Sequence, residues 1–349
     1  MNLRRLAATA AATLATAGLA ACSTGATADD SDSAADAAGT GAAEAGAFPV
    51  TIEHAYGETT IEEEPERVVA LGWSDPDVVL SLGVVPVGAS NNSWGGTEDG
   101  STIWFDEALA GIDGAEPPTR VDDTTAGIAG AVAEVAKLQP DLVVATNSGI
   151  TKAEYQKLGK LGVPVLAYPG EPWMTSWRES LDMIGQALGR SELADEVEAD
   201  VETALSDAAE EHPNLDGASH FVSWIDPTDT SSIGVYGDNR ATVLTEVGMT
   251  QPAWVEDVTK GQAYGTISAE RAGTLESDLV LLTAESQDEA DTLMADKLVG
   301  RIPAVDAGNV WWDLPDHSTA YALDVATPLS LPYMAEHLLP ELDEVLADQ

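Results

Sequence analysis

The feature that most restricts the fold of this chain is an alternation of short apolar segments with helical stretches. These Val- and Leu-rich segments are "RVVALG" (67–72), "VVPVGA" (84–89), "DLVVAT" (141–146), "VPVLAY" (163–168), "HFVSWI" (220–225), "SIGVYG" (232–237), "DLVLLT" (278–283) and "NVWWDL" (309–314). Such an alternation predicts an α/β architecture. Because the segments lack a regular polar position, we expect strands that are covered on both faces.

One long amphipathic helix is predicted between the two groups of strands. It begins at Ser191 in "SELADEVEADVETALSDAAEEH" and ends before Pro213. Its apolar residues recur about every four positions, at Leu193, Val197, Val201, Leu205 and Ala208. A helix of roughly 20 residues is about 30 Å long. Gly189 is expected to end a preceding helix that starts near Ser176.

A short internal repeat indicates two similar halves. The segments 132–146 and 268–283 both predict a helix, a turn and a strand that opens with Asp-Leu-Val, at Asp141 and Asp278. We therefore predict an N-terminal lobe at 49–176, a helical linker at 177–213 that includes the lobe-joining helix, and a C-terminal lobe at 214–349.

The N-terminus has the pattern of an export signal. Arg4 and Arg5 precede an apolar run that ends at Ala21, which is shorter than the roughly 20 apolar residues of a membrane span. Leu19-Ala20-Ala21-Cys22 resembles a bacterial lipobox, so residues 1–21 are predicted to be a lipoprotein signal peptide and Cys22, the only cysteine, its lipidation site. An ordinary signal peptide beside a cysteine is the alternative. Residues 22–48 are Ala-, Gly- and Asp-rich and are predicted to form a flexible tether.

The formal net charge of −45 argues against nucleic acid and anionic membrane surfaces as partners. The same acidity fits either a cationic ligand or a solvated surface suited to a saline habitat.

Several segments together resemble the bacterial periplasmic-type binding proteins for iron–siderophores, cobalamin and haem, whose lobes are joined by a helix. They are "FPVTIEHAYGETTIEEEPERVVALG" (48–72), "DPDVVLSLGVVPVGAS" (75–90), "LQPDLVVAT" (138–146), "LGVPVLAY" (161–168), "LGRSELADEVEADVETAL" (188–205) and "ISAERAGTLESDLVLLT" (267–283). The resemblance implies two lobes, each a mostly parallel sheet flanked by helices, joined by one long rigid helix. It also implies a non-enzymatic, monomeric receptor that passes a ferric siderophore to an ABC permease. A lipid on Cys22 would hold this receptor at the extracytoplasmic face of the cell membrane.

A ferric siderophore already fills the coordination sphere of its iron, so no protein metal ligand or cofactor is expected. The ligand requires aromatic walls and a few donors, which we expect in loops after strand ends. The chain has nine Trp and three Phe, and its loops supply the candidate ligand-binding residues. They are Trp73, Trp94, Tyr168, Trp173, Trp224, Tyr236, Arg240, Tyr264 and Trp312. Arg240 is the predicted donor to anionic ligand oxygens, with an ion pair at the start of a helix as its alternative role. Packing in a core is the alternative role for each Trp.

In the resembled family, one surface glutamate on each lobe meets arginines of the permease. The C-lobe pattern assigns this role to Glu270. The equivalent N-lobe position is Ala133, so the assignment there moves to the neighbouring Glu134. A solvated helix charge is the alternative for both.

Siderophore binding has three alternatives. Cobalamin or haem would also fit an aromatic cleft in the same fold. Direct zinc or manganese binding requires a ligand cluster, whereas the five histidines form no spaced pair. An exported hydrolase is the alternative from a different class, but the sequence holds no G-x-S-x-G or H-E-x-x-H motif.

Overall fold

The computed structural model describes residues 42–122 and 128–347, and the strands of this part form two five-stranded sheets and a small hairpin. The strands are β1 (Val50–His54), β2 (Gly57–Ile61), β3 (Val68–Ala70), β4 (Gly88–Ser90), β5 (Thr119–Val121), β6 (Leu142–Ala145), β7 (Val165–Ala167), β8 (His220–Trp224), β9 (Ser232–Tyr236), β10 (Tyr264–Ser268), β11 (Leu279–Thr283) and β12 (Val310–Asp313).

The α-helices are α1 (Asp75–Ser81), α2 (Ile103–Ala110), α3 (Ile128–Leu138), α4 (Lys152–Gly159), α5 (Trp177–Leu188), α6 (Ser191–Glu211), α7 (Asn239–Thr242), α8 (Ala253–Thr259), α9 (Gln287–Ala295), α10 (Pro303–Ala307), α11 (Ser318–Val325), α12 (Ser330–His337) and α13 (Leu339–Ala347). Short 3-10 helices lie at Pro213–Leu215, Val243–Val247, Ala269–Thr274 and Val299–Arg301.

The N-terminal sheet has the order β5-β4-β3-β6-β7, and all its strands are parallel. The C-terminal sheet has the order β10-β9-β8-β11-β12, in which only β9 runs against its neighbours. The predicted fold class, two mostly parallel sheets flanked by helices, is therefore confirmed. The sequence prediction omitted β5 and β10, which are polar or short and depend on pairing with a neighbouring strand.

Alternate residues of the central strands enter different apolar cores. In β11, Leu279 and Leu281 face the large core that is shared by both halves, whereas Val280 and Leu282 face a core on the outer side of the C-terminal sheet. This two-residue alternation follows from the strand pleat. Both faces are covered by apolar side chains, which explains why the sequence shows no polar alternation.

Helix α6 connects the two sheets along the chain, with the bounds that the sequence predicts. The preceding helix α5 begins with a capping box between Ser176 and Glu179, and it ends at Gly189, whose φ of 67° is left-handed. Arg178 of α5 pairs with Glu198 and Glu202 of α6 at 2.9 and 2.8 Å. The strands of one sheet lie within 49–176 and those of the other within 214–349, while the lobe boundaries themselves stay predictions.

The two halves also contact each other directly. Thr327 donates a hydrogen bond to buried Asp77 of α1 at 2.9 Å, and the Tyr321 hydroxyl donates to Asn92 at 2.6 Å. Trp104 of α2 lies beside the ring of Tyr333, with a centroid distance of 5.3 Å. Helices α11 and α12, which follow the C-terminal sheet in the sequence, therefore pack on the N-terminal half as well.

Candidate functional site

A cavity of about 300 Å³ lies along one face of the C-terminal sheet. Val222, Leu281 and Trp311 form part of its floor. These residues are direct partners across β8, β11 and β12, so the pleat points their side chains to the same face. Tyr236 of β9 and Trp224 at the end of β8 extend this floor into an aromatic wall.

Loops of the N-terminal half supply the opposite wall. Trp73 follows β3 and Trp94 follows β4, so both leave the carboxyl ends of parallel strands, where α/β sheets place ligands. The Trp94 ring stacks on His317 at 5.0 Å. Gly95 adopts φ 65°, and a Cβ there would lie 2.4 Å from the Cβ of Tyr321. Glycine thus lets the Trp94 loop approach α11 closely.

A second cavity of about 300 Å³ shares Trp73, Arg240 and Asp324 with the first. Trp173 also lines it, with its ring centroid 4.8 Å from that of Trp73. Trp173 has a left-handed φ of 64°, a conformation that is unfavourable for a bulky residue and that clusters at ligand sites.

Tyr264 and Asn147 are two further polar residues in the lining of the second cavity. Tyr264 is 41% exposed, and Asn147 is buried. The Asn147 side-chain oxygen has no hydrogen-bond partner among the described residues. The two adjoining cavities, which share Trp73, Arg240 and Asp324, together form an aromatic cleft, and this buried amide lies in its lining.

Arg240 lies where the two cavities meet, and two carboxylates hold it. Its Nε donates to Asp238 at 2.9 Å, its Nη2 donates to the other oxygen of the same carboxylate, and its Nη1 donates to Asp324 at 3.3 Å. The guanidinium carbon is 3.6 Å from the centroid of the Tyr236 ring. Asp238 caps α7 through the Arg240 backbone N–H, which explains the local order of these two residues.

For both Asp324 and Arg240, burial and the charge of the ion-pair partner shift the pKa in opposite directions. Burial raises the pKa of Asp324 to about 7, although the Arg240 charge opposes the shift. Burial alone would lower the pKa of Arg240, but Asp324 and Asp238 outweigh it and raise the pKa above its usual value. Arg240 is therefore permanently charged, while Asp324 changes its charge near neutral pH.

A second acidic group lies at the end of the cleft near Trp94. Glu285 lines the first cavity with an exposed side chain, and its carboxylate is 3.7 Å from His317 Nε2. The other nitrogen of His317 lies 2.8 Å from the carboxylate of Asp313. Burial raises the pKa of Asp313 to about 6 against the opposing effect of His317.

The structure brings most of the predicted ligand-binding residues together. Around the first cavity are Trp73, Trp94, Trp224, Tyr236 and Arg240, and around the second are Trp173 and Tyr264. Trp73 and Trp224 are 40% and 42% exposed, which is unusual for such large apolar side chains and marks a surface that is open to a ligand. Their contact with a ligand stays a prediction.

The sequence predicted that Tyr168 lines the ligand-binding cleft, but in the structure Tyr168 lines neither cavity. Its side chain is buried in the outer core of the N-terminal half. Its hydroxyl lies 2.6 Å from that of Tyr56, and its carbonyl accepts a hydrogen bond from Ala55 N–H. The β1–β2 hairpin and α4 cover the face to which Tyr168 points, so its position after a strand was not enough to place it in the cleft.

Trp312 is a second correction, because the cavity is lined by its neighbour Trp311. Trp311 pairs with Leu281, which faces the cavity, and its Nε1 donates to Glu341 at 2.7 Å. Trp312 pairs with Leu282 and packs against the outer core of the C-terminal sheet. Neighbouring residues of a strand point to opposite faces, so the cavity receives the ring of Trp311 and not that of the predicted Trp312.

Sequence reasoning missed Asp238, Asp324, Asn147 and Glu285. Asn147 directly follows the predicted strand at 141–146, and Asp238 precedes Arg240 by two residues. Both could have been predicted from these positions in the sequence. Asp324 lies on α11 in a helix of mostly apolar residues, and an isolated acid in such a helix is a usable signal. Nothing in the sequence distinguishes Glu285 from other exposed acids.

The predicted docking residues are both exposed on short helical segments. Glu134 lies on α3, and Glu270 lies in the 3-10 helix Ala269–Thr274, which Ser268 caps. Their role stays a prediction. Cys22, the signal peptide and most of the tether lie outside the described residues, and within residues 42–122 and 128–347 no helix has the length and apolarity to cross a membrane. The same residues contain no group of three His, Cys, Asp or Glu side chains placed to hold a metal ion.

Residues 68–315, which include strands of both sheets, match the family model described as periplasmic binding protein. The crystal structure of PiaA from Streptococcus pneumoniae TIGR4 in complex with ferrichrome is similar to this chain, with a TM-score of 0.79 and 30% identity, over 86% of this chain and 99% of that one.

Two curated proteins of Bacillus subtilis (strain 168) are also similar. The probable siderophore-binding lipoprotein YfiY is 24% identical over 69% of this chain and 70% of its own length. The Fe(3+)-citrate-binding protein YfmC is 23% identical over 73% of this chain and 75% of its own length.

Proposed function

This chain belongs to the periplasmic binding protein family, and on that premise we propose that it is an extracytoplasmic receptor that binds a ferric siderophore in the aromatic cleft and delivers it to an ABC permease. The observation that carries the proposal is the cleft itself, where Trp73 and Trp94 from one half face Trp224 and Trp311 from the other. The similar PiaA structure holds ferrichrome. The family and the fold are those of substrate-binding proteins.

The cleft suits a compact metal complex with an organic shell. Its walls are indole and phenol rings, which give a large contact area with few rotatable bonds and bind an organic surface in several orientations. The iron enters as part of the substrate, because the siderophore supplies the oxygens that coordinate it. The protein therefore contributes shape, apolar contact and a few hydrogen bonds, such as those available from Asn147 and Tyr264. No resident cofactor takes part.

The location and the partners complete the proposal. Lipid on Cys22 would anchor the receptor outside the cytoplasm, and the tether at 22–48 would let it reach the permease. Glu270 and Glu134 would make the permease contacts, and the receptor would act as a monomer. The name of the relative YfiY, a probable siderophore-binding lipoprotein, supports the lipid anchor.

Titration of the mature chain with ferric siderophores tests the proposal through tryptophan fluorescence. We expect quenching with a Kd below about 1 µM for at least one ferric complex, and no response to the uncomplexed ferric ion. Trp224→Ala should weaken binding about ten- to hundredfold, because it removes an aromatic wall. Trp254→Ala is the matched control, since Trp254 packs on Phe221 in the outer core. A response to cobalamin or haem alone would replace the siderophore as ligand.

A further inference from the structure

The cleft is unusual in the balance of its charges. Among the described residues, the charged side chains that line the two cavities are Arg240, Asp238, Asp324 and Glu285, so three carboxylates oppose one guanidinium. A site built to hold an anion would present an excess of positive charge. This cleft presents the reverse, within a chain whose formal net charge is already −45.

The guanidinium of Arg240 is also engaged by the protein itself. Asp238 accepts two hydrogen bonds from Arg240, Asp324 accepts a third, and the Tyr236 ring covers one face of the guanidinium. All three charged side chains are largely buried, with exposed fractions of 15%, 10% and 7% for Arg240, Asp238 and Asp324. In such an environment the carboxylates cancel the positive field of Arg240 at short range, and little solvent screens them.

No protonation state of this cluster is positive near neutral pH. With both carboxylates ionised the cluster carries one net negative charge, and protonation of Asp324 makes it neutral. Glu285 adds a further negative charge from a side chain that is 72% exposed. An anionic ligand would meet repulsion without a compensating cation, whereas indole faces beside carboxylates attract positive groups.

We propose that the cleft selects ferric complexes without net negative charge, such as neutral or cationic tris-hydroxamates, and rejects anionic citrate and catecholate complexes. Asp324 and Glu285 set this selectivity. Asp324 makes the Arg240 cluster net negative and accepts a hydrogen bond from the Nη1 group that Asp238 leaves unpaired. Glu285 adds a further negative charge. The inference rests on the proposed function, since it narrows the class of siderophore. We therefore expect that this chain does not bind ferric citrate, the ligand that the name of its relative YfmC gives.

The test is a fluorescence titration of the mature chain with four complexes of known charge. Ferrichrome is neutral, ferrioxamine B is cationic, and ferric citrate and ferric enterobactin are anionic. We expect the tighter of the first two to bind at least about a hundredfold more strongly than either anion. An anion that binds as tightly as ferrichrome would overturn the inference alone. If none of the four complexes binds, the proposed function and this inference are both wrong, whether or not haem or cobalamin binds instead.

Two variants locate the cause of the selectivity. At about pH 8, where Asp324 is ionised, Asp324→Asn should raise the affinity for the anions relative to ferrichrome at least about tenfold, because it changes the Arg240 cluster from net negative to neutral. Glu285→Lys, at an exposed position that does not endanger folding, should shift the same ratio in the same direction. Asp306→Asn, an exposed acid outside the cleft, is the control and should leave the ratio unchanged. A ratio that stays constant in both cleft variants would remove Asp324 and Glu285 as the determinants.

Discussion

Asp77 is a buried carboxyl group that joins the two halves of the protein, and its replacement by Asn should make the protein more stable at high pH. Its Oδ2 accepts hydrogen bonds from Trp104 Nε1 at 2.6 Å and from Thr327 Oγ1 at 2.9 Å. Burial raises the pKa of Asp77 from 3.8 to about 7, although the two hydrogen bonds and the charge of Arg120 oppose the shift. The folded protein therefore holds this proton through a pH range in which the unfolded chain has released it.

The sign and the size of the effect follow from this linkage. Since the folded state binds more protons between pH 3.8 and about 7, the free energy of unfolding falls as the pH rises through this window. A shift of about three pK units corresponds to a loss of about 4 kcal/mol at pH values above 7. The amide that replaces the carboxyl in Asp77→Asn would keep a carbonyl oxygen as acceptor for both donors and would carry no charge at any pH.

Urea denaturation of both proteins at about pH 5 and about pH 8, at one ionic strength, measures the difference. At about pH 5 the unfolded parent has already released this proton, so the variant should be more stable than the parent by about 1.5 kcal/mol. At about pH 8 the advantage of the variant should be larger by a further amount of about 2–3 kcal/mol. Asp324, whose pKa is also raised to about 7, remains in the variant, so part of the pH dependence should persist.

Asp75→Asn is the matched control, because it changes the same helix two residues earlier. The Asp75 oxygens accept hydrogen bonds from Gly72 N, Thr146 N, Thr146 Oγ1 and Asn147 N. An amide group would face some of these donors with its own N–H, and each unpaired buried group costs about 1–3 kcal/mol. Burial also raises the pKa of Asp75, so this variant should be destabilised at the lower pH and less destabilised at the higher one, where the parent has lost part of its own stability. If the effect of Asp77→Asn is the same at both pH values, or is destabilising only at the higher one, the reasoning about the Asp77 proton is wrong.

Two further predictions concern the anchor and the permease contact. Cys22→Ser should move the protein from the membrane fraction to the medium without changing its siderophore affinity, and retention in the membrane would contradict lipidation at Cys22. Glu270→Ala should lower permease-dependent uptake of the bound complex by about tenfold or more while binding in solution is unchanged. Asp306→Ala, another exposed acid at a short helix of the same half, serves as its control, and equal uptake by the two variants would exclude Glu270 from docking.

Much of the fold could be predicted because its signals are local. Short Val- and Leu-rich strands, the capping residue Ser176, the left-handed Gly189 and Pro213 each act through the nearest few residues, and the structure places the corresponding boundaries there. Strand β5 could not be predicted, because Thr119–Val121 is extended only through its pairing with β4. The antiparallel pairing of β9 could not be predicted for the same reason, because the direction of a strand is set by its pairing with a neighbouring strand, here β8.

The sequence predicted which loops form the cleft, but it did not predict which side chains of those loops point into it. Trp73, Trp94 and Trp224 follow or end strands, and that position is readable from the chain. The orientation of Trp311 rather than Trp312 toward the cavity depends on register with Leu281, and the burial of Tyr168 depends on Tyr56, more than a hundred residues away.

The sequence by itself determined the alternation of strands and helices, the long connecting helix and the aromatic character of the loops, because backbone propensity and apolar periodicity act over a few residues. Only the tertiary structure placed Arg240 between two carboxylates. Its loop context left two roles open, a donor to an anionic ligand and an ion pair at the start of a helix. Folding brings Asp324 of α11 to 3.3 Å from its guanidinium across 84 residues of chain. The charge that a ligand meets is a sum over groups that are close in space, and that sum is not readable along the chain.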